Sequence, residues 1–112
     1  MKKVIAIPTE NGKLCGHFGQ CETFAIIETE NQNIIREEYL IPPAHQPGIY
    51  PKFLAEQGVD VIISGGMGHR AIQLFAVHNI EVCMGVNADV PARLVEQYLN
   101  GALRTGANIC NH

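Results

Sequence analysis

The hydrophobic pattern of this chain changes near residue 50. Before that point, short apolar runs separated by turn residues predict strands over Val4–Ile7, Phe24–Ile27 and Ile34–Ile41. After it, two β-branched runs predict further strands at Val59–Ile63 and Ile80–Met84, and apolar residues at helical spacing separate and follow them. The pattern therefore predicts a three-stranded meander followed by alternating helices and strands.

Glycine, proline and aspartate mark the ends of three predicted helices. The first ends at Gly58 and the second near Asn79, and the third takes Asp89 as its N-cap, Pro91 in its first turn and Gly101 as its end. The element order is then β-β-β-α-β-α-β-α. With short, right-handed connections, this order favours an α/β fold with a mixed five-stranded sheet and helices on both faces.

Chain direction places several connecting segments at one edge of this sheet. Residues 9–22 are expected to form a long loop after the first strand, and residues 42–50 follow the third strand at the same end. The fourth and fifth strands also finish there, which brings residues 65–68 and 83–84 to the same edge. Open α/β sheets bind their ligands at such an edge.

Length, charge and composition indicate a single domain and argue against nucleic-acid binding and membrane insertion. The 112 residues suit one domain, residues 1–103, with a polar and loosely held tail over residues 104–112. A net charge of −3 with eight Lys and Arg residues spread along the chain argues against nucleic-acid binding. The sequence contains neither a signal peptide nor an apolar run long enough to span a membrane, so a soluble, cytoplasmic protein is expected.

Sulfur and imidazole side chains recur in the segments expected at this edge. Thiolate and imidazole donors together suit iron–sulfur, molybdenum, copper and zinc centres. In a reducing compartment, the four cysteines are expected to be ligands, redox groups or buried small apolar residues rather than disulfides. The candidate metal ligands are Cys15, His17 and His45, with Cys21 and His69 as further candidates for cofactor binding. Alternatively, Cys21 faces the core, His45 and His69 are surface residues, and Cys83 packs as a small hydrophobic residue.

A glycine turn, Gly65-Gly66-Met67-Gly68, joins the fourth strand to the second helix. Glycines allow the backbone to approach a ligand closely, and the first amides of the helix point outward, so the turn suits a phosphate or an anionic metal–sulfide cluster. The spacing matches neither a Walker motif nor a complete G-x-G-x-x-G motif. A nuclease with two metal ions is excluded, because its carboxylate cluster is missing and Asp60 and Asp89 are the only aspartates.

Five features together resemble the dinitrogenase iron–molybdenum cofactor biosynthesis family: the opening strand, His17-Phe18-Gly19, the strand over residues 58–63, the glycine turn, and the closing helix before Gly101. The resemblance spans nearly the whole domain, residues 3–103. It implies a ribonuclease-H-like fold without nuclease activity and a role in binding or delivering metal–sulfur clusters. This family includes cofactor carriers of nitrogen fixation and the orange protein, which carries a molybdenum–copper sulfide cluster.

We therefore expect a non-catalytic carrier or scaffold for an anionic cluster of the iron–sulfur, iron–molybdenum or molybdenum–copper type. A monomer or weak dimer would meet a cluster donor or acceptor protein, with an associated ATPase as a further candidate partner. Two alternatives stay open: a nucleotide- or phosphometabolite-binding module that uses the glycine turn, and a thiol redox regulator that forms a Cys15–Cys21 disulfide. An enzyme is least favoured, because no nucleophile and base occur at a recognisable spacing.

Overall fold

The structure, a computed structural model, describes residues 2–16, 21–44 and 48–106. Within these ranges the chain forms six strands and three helices. The elements are β1 (Lys2–Glu10), β2 (Lys13–Leu14), β3 (Thr23–Glu30), β4 (Asn33–Leu40), α1 (Ile49–Glu56), β5 (Val61–Ile63), α2 (His69–Val77), β6 (Glu81–Cys83) and α3 (Pro91–Leu99).

The strands form one mixed sheet in the order β4-β3-β1-β5-β6, and β2 pairs with the end of β1. Neighbouring strands are antiparallel in the β1–β3 and β3–β4 pairs and parallel in the β1–β5 and β5–β6 pairs. The predicted meander and crossovers, and with them the predicted strand directions, are confirmed. We call the end of the sheet at which β1, β5 and β6 finish the carboxyl edge.

Helices cover both faces of the sheet, as predicted. Ile5 and Ile7 of β1 belong to a buried cluster that includes Leu94 and Val95 of α3, whereas Ala6 belongs to a second cluster. That second cluster contains residues of α1 and α2, among them Tyr50, Leu54 and Phe75. Because successive side chains of a strand point to opposite faces, one apolar run in β1 supplies both cores.

The predicted end of the first strand is wrong, because β1 continues through Pro8 to Glu10. Pro8 lies beyond Ile5 and Ala6, the residues that pair with β5, and its carbonyl accepts a hydrogen bond from the Cys15 amide (2.8 Å). The Thr9 carbonyl accepts a hydrogen bond on the β3 side, so the backbone of Pro8 faces away from β3, and its missing amide removes no hydrogen bond to β5 or β3. Asn11 and Gly12, with φ values of 55° and 78°, then turn the chain into β2, so residues 9–14 form a hairpin instead of a loop.

The predicted N-cap of the third helix is displaced by one residue. Val90 is the N-cap of α3, and Pro91 is its first helical residue. The Asp89 carboxylate accepts a hydrogen bond from the Val90 amide (2.7 Å), and its second oxygen lies 3.7 Å from Arg93 Nε. The Asp89 carbonyl accepts a hydrogen bond from the Leu14 amide (3.0 Å), which fastens β2 to the segment before α3.

The chain after α3 returns to the carboxyl edge. Leu103 packs against the core on the α3 side, and the Gly106 amide donates a hydrogen bond to the Met84 carbonyl (3.0 Å). Gly85, with a φ of 72°, lies so close that a Cβ atom on it would be 2.4 Å from the Gly106 carbonyl carbon. Residues 107–112, the rest of the predicted tail, lie outside the described part of the chain.

Gly85→Ala is expected to lower the free energy of unfolding by about 1–3 kcal/mol more than Gly12→Ala. Both glycines have positive φ values, but a Cβ on Gly12 meets nothing within 4 Å, whereas one on Gly85 overlaps Gly106. Gly12→Ala is thus a control for backbone strain alone, at about 1–2 kcal/mol. Urea unfolding of both variants measures the difference, and equal losses would contradict the close backbone contact.

Candidate functional site

The carboxyl edge collects the segments in which the candidate residues occur. The ends of β1, β5 and β6 meet there with the start of β3 and the end of β4. Cys15, Cys21 and the glycine turn all lie at this edge, in the segments that follow β2, precede β3 and follow β5. His17 and His45, two of the three predicted metal ligands, lie outside the described residues.

Cys15 and Cys21 flank the end of β1. The Cys15 amide bonds to the Pro8 carbonyl on the β2 side of β1, and the Glu22 amide bonds to the Thr9 carbonyl on the β3 side (2.9 Å). With strands about 4.8 Å apart, the backbones of Cys15 and Glu22 are separated by roughly two strand spacings, of the order of 10 Å. The two cysteines therefore lie on either side of one central strand.

The two thiols share the face of the sheet that α1 and α2 cover. Leu14 packs into the core on the α3 side, so the next side chain along the strand, Cys15, points to the opposite face. Cys21 packs against the core on that same opposite face. The proximity of Cys15 contributes to the raised pKa of Cys21, which is consistent with one shared surface.

Burial sets the protonation of Cys21. Loss of solvent, followed by the nearby Cys15, raises the pKa of the Cys21 thiol to about 12. Tyr50 of α1 is also affected, because burial and then the neighbouring Cys21 raise its pKa above 10.0. Cys21 is therefore a neutral thiol near pH 7, and a bound metal would have to displace its proton.

Cys15 is more deeply buried than its partner, with 5% of its surface exposed. Its thiol donates a hydrogen bond to a Glu10 carboxylate oxygen at 3.6 Å. Glu10 is the last residue of β1 and is itself exposed, so it places an acceptor beside the sulfur at the mouth of the site. The sequence prediction did not include Glu10 or Tyr50. Glu10 could have been found from the Asn11-Gly12 hairpin signal, which brings residues 10 and 15 close together.

The glycine turn is packed more tightly than the sequence predicted. Ser64, which has no exposed surface, accepts a hydrogen bond from the Gly66 amide (3.2 Å) and donates one to the Gly66 carbonyl (3.1 Å). The expectation that the Gly66 amide faces a ligand is therefore wrong, because the short Ser64 side chain already accepts from it. The predicted cofactor contact Met67 is only 1% exposed, and its side chain packs in the core on the α1 and α2 side.

The start of α2 remains open to a ligand. Gly68 is the N-cap residue, makes no side-chain hydrogen bond there, and has no atom within 4 Å of a Cβ built on it. His69, the first helical residue, and Arg70 are both exposed. Contact between an anion and Gly68 or the amides after it stays a prediction, which the open start of α2 permits.

Cys83 lies on the opposite face from the other two thiols. It belongs to the core on the α3 side and donates a hydrogen bond to Glu81 (3.6 Å). Burial, and then Glu81, raise its pKa to about 11. The predicted alternative of a packed cysteine is confirmed, and Cys83 is unsuited to share a guest with Cys15.

No three His, Cys, Asp or Glu side chains form a ready-made metal site in residues 2–16, 21–44 and 48–106. In the same part of the chain, no helix is long and apolar enough to cross a membrane. A centre bound by Cys15 and Cys21 would thus take further ligands from elsewhere in the chain, from a partner or from its own sulfide.

Sequence comparison decides the family. Residues 1–101 match the family described as Dinitrogenase iron-molybdenum cofactor. The chain belongs to this family. The match includes the two cysteines on either side of β1 and the glycine turn, and it stops just before the segment that returns from α3.

Relatives of this family member extend the comparison. An uncharacterized protein of Methanocaldococcus jannaschii is 30% identical over 105 residues, which cover 88% of this chain and 87% of that protein. The crystal structure of PH0822 has a TM-score of 0.87 at 24% identity, covering 97% of this chain and 99% of the other. The apo form of the orange protein from Desulfovibrio gigas has a TM-score of 0.79 at 22% identity, with 95% and 94% covered. The two structures share the α/β fold of three helices and a mixed sheet.

Alkaline pH is expected to destabilise this family member through its buried thiols. Folding raises the pKa of Cys21 from 9.0 to about 12 and that of Cys83 to about 11, so it favours the protonated thiols. Their contribution to stability is complete below pH 9 and is lost as the pH rises towards 12. In urea unfolding measured across this window, Cys21→Ser should lessen the decline in stability more than Cys83→Ser does. If the stability of Cys21→Ser fell with rising pH as steeply as that of wild type, the buried Cys21 thiol would not be the cause of the alkaline loss of stability.

Proposed function

We propose that this protein binds and carries an anionic metal–sulfur cluster and performs no catalysis of its own. The observation that carries the proposal is the pair Cys15 and Cys21, two thiols on one face of the sheet on either side of β1, in a chain of the Dinitrogenase iron-molybdenum cofactor family. The residues present fit such a guest, because thiolates are the usual ligands of metal–sulfur clusters. The cluster is cargo, received and passed on.

The spacing of the thiols favours a guest with several metal atoms. A single ion holds its thiolates at about 2.3 Å, which demands that the two sulfurs converge on one point. The backbones of Cys15 and of Glu22, the neighbour of Cys21, lie of the order of 10 Å apart across β1, which better matches a cluster that spans the gap. His17 and His45 are proposed as additional imidazole ligands, with His69 at the start of α2 as an outer contact.

Charge balance assigns a role to the start of α2. The negative charge of a cluster beside Glu10 needs compensation, and Gly68 together with the first amides of α2 can supply it, helped by the exposed Arg70. The packed backbone from Gly65 to Met67 supports this helix start and does not contact the guest. A site with few protein ligands also suits release to an acceptor protein, as a carrier requires.

The iron–sulfur, iron–molybdenum and molybdenum–copper clusters stay equivalent candidates for the cargo. The ribonuclease-H-like classification of the fold stays a prediction. The two alternative functions are weaker. A phosphate-binding glycine turn would have one donor fewer than the sequence predicted, because the Gly66 amide already donates a hydrogen bond to Ser64. A redox switch would need a reactive thiolate, whereas a pKa of about 12 keeps Cys21 protonated.

Anaerobic reconstitution tests the proposal. Apo protein is incubated separately with ferrous iron plus sulfide and with copper(I) plus tetrathiomolybdate, and bound metal and acid-labile sulfide are measured after desalting. We expect stoichiometric uptake in at least one arm, weakening in acid as protons compete for the ligands. Absence of uptake in both arms between neutral and mildly alkaline pH would refute the carrier function.

A further inference from the structure

A cavity lies at the end of the sheet where β1 begins, opposite the carboxyl edge. It has a volume of about 580 Å³ and lies between the end of α3 and the turn that joins β3 to β4. Its lining residues come from β1, β3, that turn and the end of α3: Lys3, Thr29, Asn31, Gln32, Tyr98 and Leu99. The volume is within the range of about 300–1,000 Å³ that is typical of small-molecule sites.

The cavity is separate from the candidate cluster site. Lys3 lies near the first end of β1, whereas Glu10, which accepts the hydrogen bond from Cys15, is the last residue of the strand. The nine residues of β1 place its two ends roughly 25 Å apart. Binding in the cavity therefore requires none of the contacts that would hold a cluster.

Lys3 supplies a positive charge on the cavity wall. It alternates in step with Ile5 and Ile7, so its side chain lies on the face of the sheet that α3 covers, as does that of its strand partner Thr29. Lys3 Nζ donates a hydrogen bond to the Tyr98 hydroxyl (3.1 Å) and lies 5.5 Å from the centre of the Tyr98 ring. An ammonium group has three N–H donors, so this hydrogen bond leaves Lys3 able to donate to a ligand as well.

The carboxylates near Lys3 are bonded to groups other than its ammonium. The Tyr98 hydroxyl donates a hydrogen bond to Glu81 (3.2 Å), and the Val4 amide donates one to Asp60 (2.9 Å). Among the residues that the structure describes, neither carboxylate belongs to the cavity lining. The hydrogen bond to Tyr98, together with these carboxylates, raises the pKa of Lys3 above 10.5, so its ammonium is charged at neutral pH.

We propose that this cavity binds a small organic anion, which places its carboxylate or phosphate on Lys3 and its apolar body against Tyr98 and Leu99. A concave surface with apolar walls strengthens the attraction between a fixed charge and an opposite charge on a ligand. The exposed Gln32 in the turn adds a side-chain amide, which can donate to the same anionic group. This site goes beyond the carrier function and does not depend on it.

Lys2 provides a matched control for Lys3. The two residues are neighbours in β1, but the side chain of Lys2 lies on the other face, where its ammonium pairs with Glu28 (3.0 Å). Lys2→Gln and Lys3→Gln remove the same charge, and only Lys3→Gln removes it from the cavity. An effect of net charge alone would therefore weaken anion binding equally in the two variants.

NMR titration of the isotope-labelled, full-length apo protein tests the site. The probes are phenylacetate, phenyl phosphate and the neutral phenylacetamide. We expect at least one anion to bind saturably with a dissociation constant of about 1 mM or lower and to shift the amide signals of the lining residues. Lys3→Gln should weaken this binding at least ~10-fold, Lys2→Gln less than ~2-fold, and the neutral amide should bind at least ~10-fold more weakly than the anion.

A second variant keeps the test decisive if Lys3→Gln fails to fold, which its amide spectrum would show. Gln32→Glu changes an exposed turn residue, puts a negative charge at the rim of the cavity, and should weaken binding of the anion at least ~3-fold. Binding of one anion and not the other would identify the anionic group as carboxylate or phosphate.

Three results would overturn the proposal. The first is the absence of saturable shifts at the cavity with either anion. The second is equal weakening in Lys2→Gln and Lys3→Gln, or, if Lys3→Gln does not fold, unchanged affinity in Gln32→Glu. The third is equal affinity for phenylacetate and phenylacetamide without binding of phenyl phosphate. Each of these results leaves the carrier function intact, because the cavity and the two thiols lie at opposite ends of β1.

Discussion

Replacing Cys15 and Cys21 together by serine is expected to reduce cluster uptake at least ~100-fold, while Cys83→Ser loads like wild type. Loss of an outer-shell partner alone commonly costs 10–100-fold in metal affinity, so loss of two direct ligands should cost more. Serine is a harder donor than thiolate and does not replace it for soft metal centres. Bound metal and acid-labile sulfide per chain are the quantities to measure after anaerobic loading.

Cys83→Ser is a demanding control for this pair. Within residues 2–16, 21–44 and 48–106 none of the three cysteines forms a disulfide, and Cys15 and Cys83 are both buried, but Cys83 faces α3 and is hydrogen-bonded to Glu81. If the loss of any thiol weakened cluster binding, the double variant and Cys83→Ser would both load poorly. A site on the α1 and α2 face instead predicts that only the double variant loses cluster uptake. Equal loading of the double variant and Cys83→Ser would place the cluster elsewhere. Thermal unfolding of each apo variant separates ligand loss from misfolding.

Phe24→Ala is expected to lower the free energy of unfolding by about 3–5 kcal/mol, which is the range for removing a buried aromatic side chain. Phe24 has no exposed surface and packs edge-on against Tyr50, with 5.2 Å between ring centroids. Its ring centroid also lies 6.3 Å from that of Phe53, so Phe24 joins β3 to α1 in the core against which Cys21 packs. Since domains are stable by only about 5–15 kcal/mol, this loss is a large fraction of the total stability.

Ile35→Ala provides the matched comparison for Phe24→Ala. Ile35 lies on the edge strand β4 with 54% of its surface exposed, so its removal should change stability by no more than about 0.5 kcal/mol. Urea unfolding of both variants gives the two free energies. If both variants lose the same free energy of unfolding, the core on the α1 and α2 side does not stabilise the fold as described.

Cluster loading of Phe24→Ala at low temperature is a separate measurement, which reports whether this core positions Cys21.

The strands and their directions could be predicted because each apolar run carries its own signal. Ile5, Ala6 and Ile7 are all apolar since both faces of β1 are covered, and right-handed crossovers leave few ways to continue the chain after residue 50. This reasoning also located the carboxyl edge. The β2 hairpin is absent from the predicted elements because Pro8 indicates a strand end, although a proline is tolerated where no ladder partner needs its amide.

Details of the site depend on contacts that sequence spacing does not encode. Whether Ser64 bonds to Gly66 depends on the turn conformation, and the face on which Cys83 lies depends on its pairing with Ile63. The return of the chain after α3 was also unpredictable, because one apolar residue, Leu103, in a polar segment gives too weak a pattern. Burial of Cys21, which decides its pKa, follows from Tyr50 and the packing of α1.

The most direct test of the cluster-carrier function uses protein purified from cells without oxygen. Its metal content, its acid-labile sulfide content and its visible spectrum are measured. We predict metal and inorganic sulfide in comparable amounts, with sulfur-to-metal charge-transfer absorption that disappears in the Cys15→Ser and Cys21→Ser double variant. Wild-type protein that emerges free of metal and sulfide, and stays so after anaerobic reconstitution, would contradict a cluster carrier built on these two thiols.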